Sequence, residues 1–427
     1  MDYTEVTSFI NKAKKFGSRL DLTRIKKLCD LLGNPEDKCK FIHIAGTNGK
    51  GSVSCFLANI LKDAGYKTGL FTSPFIYDFN ERIQINNKSI SDESLMEVME
   101  KVVIATDKML SEGFEHPTEF ELITACSFLY FAKEKCDVAV LEVGLGGILD
   151  STNVIKKPLV SVITSISTDH TEYLGNTISE IAKNKCGIIK KSCPVVSYPF
   201  QNPDALDVIE KTSKEKNAEL TVCDIKSLDI IKTDISGNEF CYNGILYGTK
   251  LLGEYQVYNA VTAINAIEKL DANGYVISNK NIQNGLKCAK WPVRFEILNS
   301  SPVVIADGSH NEDGMRVFTE NAKKILKGKR CICVFGMLKD KEYEKCLKML
   351  SDISDTVVVT EVDNPRKESA ENLKTCAEKY FKNVYAEKLN FDAVKKSKEL
   401  SGNDDVIIAL GSLYMMKNIK DAVSDIF

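Results

Sequence analysis

"FIHIAGTNGKGSVSCFLANILKDAG", residues 41–65, joins a short apolar strand, a loop studded with glycine and a run of apolar residues at helical spacing that stops at Gly65. Strand, glycine loop and helix in that order make a phosphate-binding loop, yet the spacing departs from the common G-x-x-x-x-G-K-[ST] form. Gly46 is followed after two residues by Gly49, Lys50, an extra Gly51 and Ser52. At a helix start several backbone N–H groups lack intrahelical partners and the helix dipole adds positive potential, so an anion is held there. The three glycines permit close approach, Lys50 reaches terminal phosphates as a point charge, and Ser52 offers a hydroxyl to Mg²⁺. Binding of a nucleoside triphosphate is favoured over an ordinary glycine turn.

The same alternation continues outward from this stretch. Residues 1–40 read as helical and polar, broken at Gly17 and at the turn 33–37. "KTGLFTSP" (67–74), "CDVAVLEVGLGG" (136–147) and "LVSVITSI" (159–166) read as strands, with helices in "DESLMEVMEKVVIATDKML" (92–110) and "TEFELITACSFLYFAKEK" (118–135). Apolar strands between amphipathic helices predict a mostly parallel sheet covered on both faces. Residues 213–250 are more polar and alternate in short pieces, as a small antiparallel excursion would, before a helix in 253–270. "KWPVRFEILNSSPVVIADGSHNEDG" (290–314) starts a fresh series with three more strands at 330–338, 355–362 and 404–413. The fold class is therefore α/β with two domains. An N-terminal phosphate-loop domain with a mostly parallel, helix-flanked sheet is expected over 1–296, and a smaller Rossmann-like α/β domain over 297–427.

Length agrees, since 427 residues exceed the size at which one core stops growing. A net charge of −3 gives no global attraction to nucleic acid or anionic membrane, and no uncharged apolar run reaches membrane-spanning length. The start of the chain has no basic segment followed by an apolar core, so a soluble, cytoplasmic protein working on small molecules is expected. Fourteen cysteines are scattered without paired CxxC clusters, and Cys331 and Cys333 have the spacing of one strand face, favouring burial over metal binding.

Candidates for chemistry gather where strands end. Ligands of open parallel sheets bind outside the carboxyl ends of the strands, where Gly46, Ser73 of "FTSP" and Glu142 of "VAVLEVG" are expected. A carboxylate in an apolar strand is costly unless paired, which favours a metal role for Glu142 over a strand-end surface position. Of four histidines, His116, His170 and His310 lie beside acidic or glycine-rich loop residues, and His43 lies inside the first strand. His170 follows the strand 159–166 and reads as a metal or phosphate group, His43 as a structural one. "GLGGIL" matches two glycines of the dinucleotide fingerprint, but Leu149 stands at the third, so no Rossmann cofactor site is expected.

"AGTNGKGS", "TSP" with "FNERI", "TEFE", "LEVGLGGILDSTN", "TSISTDHTEYLG", "IAKNKCGIIK", "QVYNAVTAI", "VRFE", "DGSHN" and "ALGSLY" occur in one order from residue 45 to residue 414. This ordered set resembles the dihydrofolate synthase/folylpolyglutamate synthase family of the Mur ligase superfamily. The resemblance implies ATP as substrate, with Asn48, Gly49, Lys50, Gly51, Ser52, Asn259, Arg294, Asp307 and His310 on the nucleotide side. It implies Mg²⁺ at Ser52, Ser73, Glu142, His170 and Lys185, the last as a carbamylated lysine; read from residues alone, Lys185 is a solvated helix lysine. A monovalent cation stays open as a further cofactor. Lys50, His170 and Lys185 are the implied catalytic groups, and Thr118, Glu119, Phe120, Glu121, Leu149, Asp150 and Ser151 the folate or pteroate side. Phe120 would give an aromatic face and Asp150 an acceptor to the pterin, or Phe120 is a core residue. One departure stands out, since the family often has Arg where this chain has Ile148.

The implied reaction is attack of a carboxylate on ATP to give an acyl phosphate, which the amine of L-glutamate converts to an amide. Two acceptors fit, dihydropteroate and the γ-carboxyl of reduced folates, and the expectation is that both are used by a monomer. Closure of the two domains about a hinge near Pro292, with Arg294 at the junction, would keep water from the acyl phosphate. Only one of the two activities, or Mur-type ligation of an amino acid to another carboxylate, remains an alternative. Ligases of the cell-wall kind carry a UDP-binding domain ahead of the loop, and only forty residues precede Phe41. A phosphate-loop kinase or a non-ligating ATP module is the reading from another class, against which the irregular loop with "DHTEYLG" and "NKCGI" argues.

Overall fold

A computed structural model describes residues 2–17 and 21–427. The chain groups into two compact units, one of the described residues up to Ser227 together with Tyr258–Ala289, the other of Leu228–Val257 together with Lys290–Phe427.

In the first unit the strands are β1 (Phe41–Ala45), β2 (Thr68–Phe71), β3 (Ile83–Ile85), β4 (Lys88–Ser89), β5 (Val138–Glu142), β6 (Val160–Ile163), β7 (Val195–Ser197) and β8 (Leu220–Val222). They form one sheet in the order β4-β3-β2-β5-β1-β6-β7-β8. From β2 to β8 all neighbours are parallel, and only β3 and β4 at one edge run antiparallel. β1, β5 and β6 are buried at every residue, as strands covered on both faces must be, which is why they read as unbroken apolar runs. The helix Glu119–Lys133 starts at Thr118, whose hydroxyl accepts from the Glu121 N–H while the Glu121 carboxylate accepts from Thr118 N–H, a reciprocal cap. Its apolar residues meet Phe41, Phe71 and Leu141, and the first helices, Tyr3–Ala13 and Thr23–Leu31, add Val6, Ile10, Ile25 and Leu28 to that core. The N-terminal helical expectation holds for these two segments; its part covering residues 1 and 18–20 lies outside the described residues.

The second unit holds two sheets. β9 (Leu228–Asp234), β10 (Gly237–Tyr242) and β11 (Ile245–Thr249) are antiparallel, and the last two join through Asn243-Gly244, both at positive φ, the two-residue turn whose twist suits a hairpin. β12 (Glu296–Ser300), β13 (Val303–Ala306), β14 (Cys331–Phe335), β15 (Thr356–Val359), β16 (Asn383–Ala386) and β17 (Val406–Leu410) make a six-stranded sheet in the order β12-β13-β17-β14-β15-β16. It is parallel except for the edge strand β12. Phe295, Phe318, Phe335, Leu347, Val357 and Ile408 lie in its core; complete burial of such side chains contributes about 1.5–3 kcal/mol each.

The α/β class and the antiparallel excursion are as expected. The grouping differs from a single boundary at 296/297 because Leu228–Val257 are fastened to the later segment. Glu254 N–H donates to Asn321 Oδ1 at 2.7 Å, the Glu254 carboxylate pairs with Lys324 at 2.6 Å, and Leu252 belongs to the same core as Phe295. All fourteen cysteines are free thiols. Cys331 and Cys333 are buried in β14, where burial pushes the Cys331 thiol up to about 11. No helix among the described residues is long and apolar enough to cross a membrane.

Candidate active site

Beyond β1 the chain turns through Gly46–Gly49 into the helix Lys50–Asp63. A Cβ on Gly46 would lie 1.9 Å from Thr164 Oγ1, and one on Gly49, whose φ is +88°, would lie 2.7 Å from Asn259 Oδ1. Side chains are therefore excluded where the loop passes Thr164 and Asn259. The segment after β6 fixes the rest: Thr47 and Asn48 N–H donate to Ser165 O at 2.8 and 3.3 Å, and Ser167 N–H donates to Thr47 Oγ1 at 3.1 Å.

Two lysines converge on this loop. Lys50 Nζ donates to Gly46 O and Thr47 O, both at 3.1 Å, and Lys185 Nζ donates to Gly46 O at 2.7 Å. Lys185 is 4% exposed, which removes the reading of a solvated helix lysine. Burial, and then the Lys50 charge, push its ammonium down to about 7 against the opposing pull of Asp169 and Asp150. A small polar cleft opens here, lined by Gly46, Lys50, Gly144, Asp169, His170 and Lys185 among others.

Glu142 ends β5, is 4% exposed, and accepts from Ser73 N–H at 3.3 Å; the parallel pairing of β2 with β5 brings Ser73 to it. Ser52 is buried in the first turn of the helix after the loop. His170 follows β6 at φ +50°, with its N–H donating to Asp169 Oδ1 at 2.9 Å and its Nε2 3.7 Å from Asp169 Oδ2. Ser52, Ser73, Glu142, His170 and Lys185 thus belong to segments at or near the carboxyl ends of β1, β2, β5 and β6, adjacent strands, apart from Lys185, which comes from the helix Ile178–Lys185. Among the described residues no three His, Cys, Asp or Glu side chains group as a metal cage. Hydroxyls with one carboxylate fit Mg²⁺, which takes few protein ligands and completes its shell from water and substrate phosphates. Lys185 as an ammonium is a donor and would join such a set only after modification.

Asp150 is buried and fully engaged: Oδ2 accepts from Leu145 N–H at 2.7 Å, and Oδ1 accepts from Thr152 N–H at 3.0 Å and from Thr152 Oγ1 at 2.6 Å. Burial raises its pKa against these donors. Because the Thr152 hydroxyl gives its proton to Asp150, His43 Nε2, 2.9 Å away, is the donor to it. Burial holds His43 at about 3, so the ring is neutral and structural, as expected.

The other folate-side residues divide. Thr118 and Glu121 spend their side chains on the helix cap, and buried Glu121 also pairs with buried Arg24 at 3.0 Å. Glu119 pairs with Arg82 at 3.5 Å, and the half-buried Phe120 ring lies 5.8 Å from that of Phe71. Leu149 is exposed next to Ile148, and Ser151 is buried at the start of a short 3₁₀ turn, Ser151–Val154. The glycines of 144–147 sit in a loop that does not open an α-helix, in keeping with the rejected dinucleotide reading.

In the second unit Arg294, Asp307 and His310 form a separate group. Gly308 N–H donates to Val293 O at 2.8 Å, and the His310 ring donates through Nδ1 to Gly308 O at 2.8 Å. The expected site residues therefore fall into one group per unit, with Asn259 beside Gly49 in the first. Sequence reasoning missed Asp169, Thr164 and Thr152, which their places in "TSISTDHTEYLG" and "LEVGLGGILDSTN" could have signalled, and Arg24, for which no local pattern speaks.

The model of the Mur ligase middle domain matches residues 44–267, and that of the Mur ligase glutamate ligase domain residues 293–413. The chain is 38% identical to a dihydrofolate synthase/folylpolyglutamate synthase of Bacillus subtilis (strain 168), covering 98% of each chain. It is 34% identical to a folylpolyglutamate synthase of Lacticaseibacillus casei over 99% of each. Among solved structures, E. coli FolC in complex with DHPP and ADP superposes with a TM-score of 0.86 at 27% identity, covering 98% of each chain.

Proposed function

This chain belongs to the Mur ligase family and, within it, to the dihydrofolate synthase/folylpolyglutamate synthase group, and we propose that it joins L-glutamate to dihydropteroate and to the γ-carboxyl of reduced folates at the expense of ATP. It is an ATP-dependent ligase. The observation that carries the reading is the meeting of Lys50 and buried Lys185 on one loop carbonyl, in a cleft at the carboxyl ends of parallel strands.

A carboxylate oxygen of the acceptor attacks the γ-phosphorus, the bond to the bridging oxygen of ADP breaks, and an acyl phosphate forms. The glutamate amine then attacks the acyl carbon, phosphate leaves, and the amine loses a proton. The first step brings anions together, so screening is the main task of the protein. Lys50 is placed to do this, its carbonyl partners Gly46 and Thr47 holding it over the loop. Backbone N–H groups of Gly49 to Ser52 at the helix start cradle the phosphates. Mg²⁺, when held by Ser52, Ser73, Glu142, His170 and Lys185, supplies further charge neutralisation on the phosphoryl oxygens.

Carbamylation of Lys185 belongs to this proposal: the neutral amine adds to CO₂, an N–C bond forms, one proton leaves, and a cation becomes a carbamate anion. Burial supports it by favouring the neutral amine that CO₂ requires. The residues proposed for the nucleotide side are Asn259 in the first unit and Arg294, Asp307 and His310 in the second. On the acceptor side Phe120 and Leu149 offer apolar surface, and Asp150 and Ser151 shape the adjoining loop. A monomer in the cytoplasm, acting on small molecules, completes the reading, supported by the fourteen free cysteines.

The test is incubation of purified protein with ATP, Mg²⁺ and glutamate, adding dihydropteroate or tetrahydrofolate separately and weighing products by mass spectrometry. Glutamyl addition to both is expected; addition to one narrows the enzyme to that step, and addition to neither sinks the substrate assignment.

A further inference from the structure

Arg294 sits between two residues in a backbone conformation that L-amino acids avoid. Val293 has φ +48° and Phe295 φ +52°, and both are fully buried. For a β-branched residue this is an outlier that the surroundings must enforce. The enforcing groups are visible. Glu296 Oε2 accepts from Val293 N–H at 2.8 Å, Asp307 Oδ2 accepts from Phe295 N–H at 2.8 Å, and Gly308 N–H returns a bond to Val293 O at 2.8 Å. The Phe295 ring is clamped against Phe318, with centroids 5.0 Å apart.

Asp307 is committed to the same turn. It is 2% exposed, and its Oδ1 accepts from Ser309 N–H at 2.9 Å and from Ser309 Oγ at 2.6 Å. Three donors on a buried carboxylate make it part of the framework. What the framework presents is Arg294, whose guanidinium passes over Gly308 so closely that a Cβ there would lie 2.5 Å from its Nη1.

We infer that Glu296 and Asp307 are positioning residues that clasp a strained turn and thereby aim the Arg294 guanidinium at the nucleotide. This rests on the reading that Arg294 engages ATP. It also adds Glu296, the last residue of "VRFE", to which the resemblance assigned no role.

A double-mutant cycle on the full-length enzyme tests it, reading the KM for ATP in ADP release and thermal melting in parallel. Arg294→Ala is expected to raise the KM about 10- to 100-fold, Glu296→Ala about 5- to 10-fold, and Glu296→Gln, which keeps an acceptor oxygen, less than about twofold, each by the loss of one positioned charge or hydrogen bond. In the Arg294→Ala background Glu296→Ala is expected to add nothing. Multiplicative effects of Glu296→Ala and Arg294→Ala overturn the inference while leaving the nucleotide role of Arg294 standing. An unchanged KM for Arg294→Ala alone overturns that role and the inference with it. Should Glu296→Ala not fold, Asp307→Asn in both backgrounds carries the same cycle: direct contact of Asp307 with ATP predicts a further loss beside Arg294→Ala, and the clasp predicts none.

Discussion

The loop after β1 and the turn around Arg294 both force the backbone through conformations an ordinary residue resists, and they meet the demand in opposite ways. At Gly46 and Gly49 the side chain is deleted, because Thr164 and Asn259 stand where a Cβ would be. At Val293 and Phe295 bulky side chains are kept, and the half-buried Glu296 and buried Asp307 carboxylates and a phenylalanine core hold the strain. A glycine loop is written into the local sequence and its backbone demand can be recognised there; the held turn also depends on partners at 307 and 318, outside its own "VRFE", and no residue in that motif announces the strain.

The largest break in this comparison comes from giving the loop a side chain. Gly46→Ala puts a methyl group 1.9 Å from the Thr164 hydroxyl, and ATP turnover should fall at least about 100-fold, the scale of an ångström-sized misplacement of reacting groups. Thr164→Ala in the same chain should restore part of that turnover, and its failure to do so would show that Gly46 serves more than clearance.

Next in size, Lys185→Met should lower turnover on the order of 100-fold by removing one positioned group, while raising the melting temperature near pH 7 in CO₂-free buffer, where Lys185 carries no carbamate. The sign follows from protons: the native ammonium titrates near 7 and the free side chain near 10.5, so between those values the unfolded chain binds more protons. The native state is therefore penalised in full below pH 7 and relieved as pH rises towards 10. The melting gap between variant and wild type should narrow from pH 7 to pH 9; a constant gap would refute the buried-cation account.

Gly49→Ala is a milder insult. The left-handed φ of +88° costs an L-residue about 1–2 kcal/mol, and Asn259 Oδ1, 2.7 Å from the new Cβ, must move. A loss of about that size in denaturant unfolding is expected, with a rise in the ATP KM. The mirror exchange, Val293→Gly, comes last because its effects oppose one another. Relief of about 1–2 kcal/mol of strain is offset by the freedom gained by the unfolded chain, about 0.4–1 kcal/mol, and by lost valine burial, about 1.5–3 kcal/mol. A net loss between about zero and 3 kcal/mol in denaturant unfolding is expected, and a larger one would mean that the turn needs the valine itself.

How much was legible follows the same division. The alternation of strands and helices, the carboxyl-end location of Ser73 and Glu142 and the structural histidine at 43 could be read because period, glycine and strand ends are local marks. The burial of Lys185 could not, since a lysine on a short helix in "IAKNKCGIIK" looks solvated until the loop after β1 is laid over it. Thr118 and Glu121 read as ligand-facing from their motif; the cap and the Arg24 ion pair that also engage them had no local mark, and Arg24 lies almost a hundred residues away in sequence. The assignment of Leu228–Val257 to the second unit was hidden for the same reason, because Asn321 and Lys324 fasten it from far along the chain.

That interleaving of segments has a consequence during synthesis. Tyr258–Ala289 belong to the first unit, so it lacks part of itself until residue 289 has left the ribosome, by which time the β9–β11 sheet of the other unit is already made. At about 5–20 residues per second that sheet waits roughly ten to thirty-five seconds for the strands that complete its unit. A nascent chain arrested after residue 227 would hold every strand of the first sheet and still lack the helix carrying Asn259.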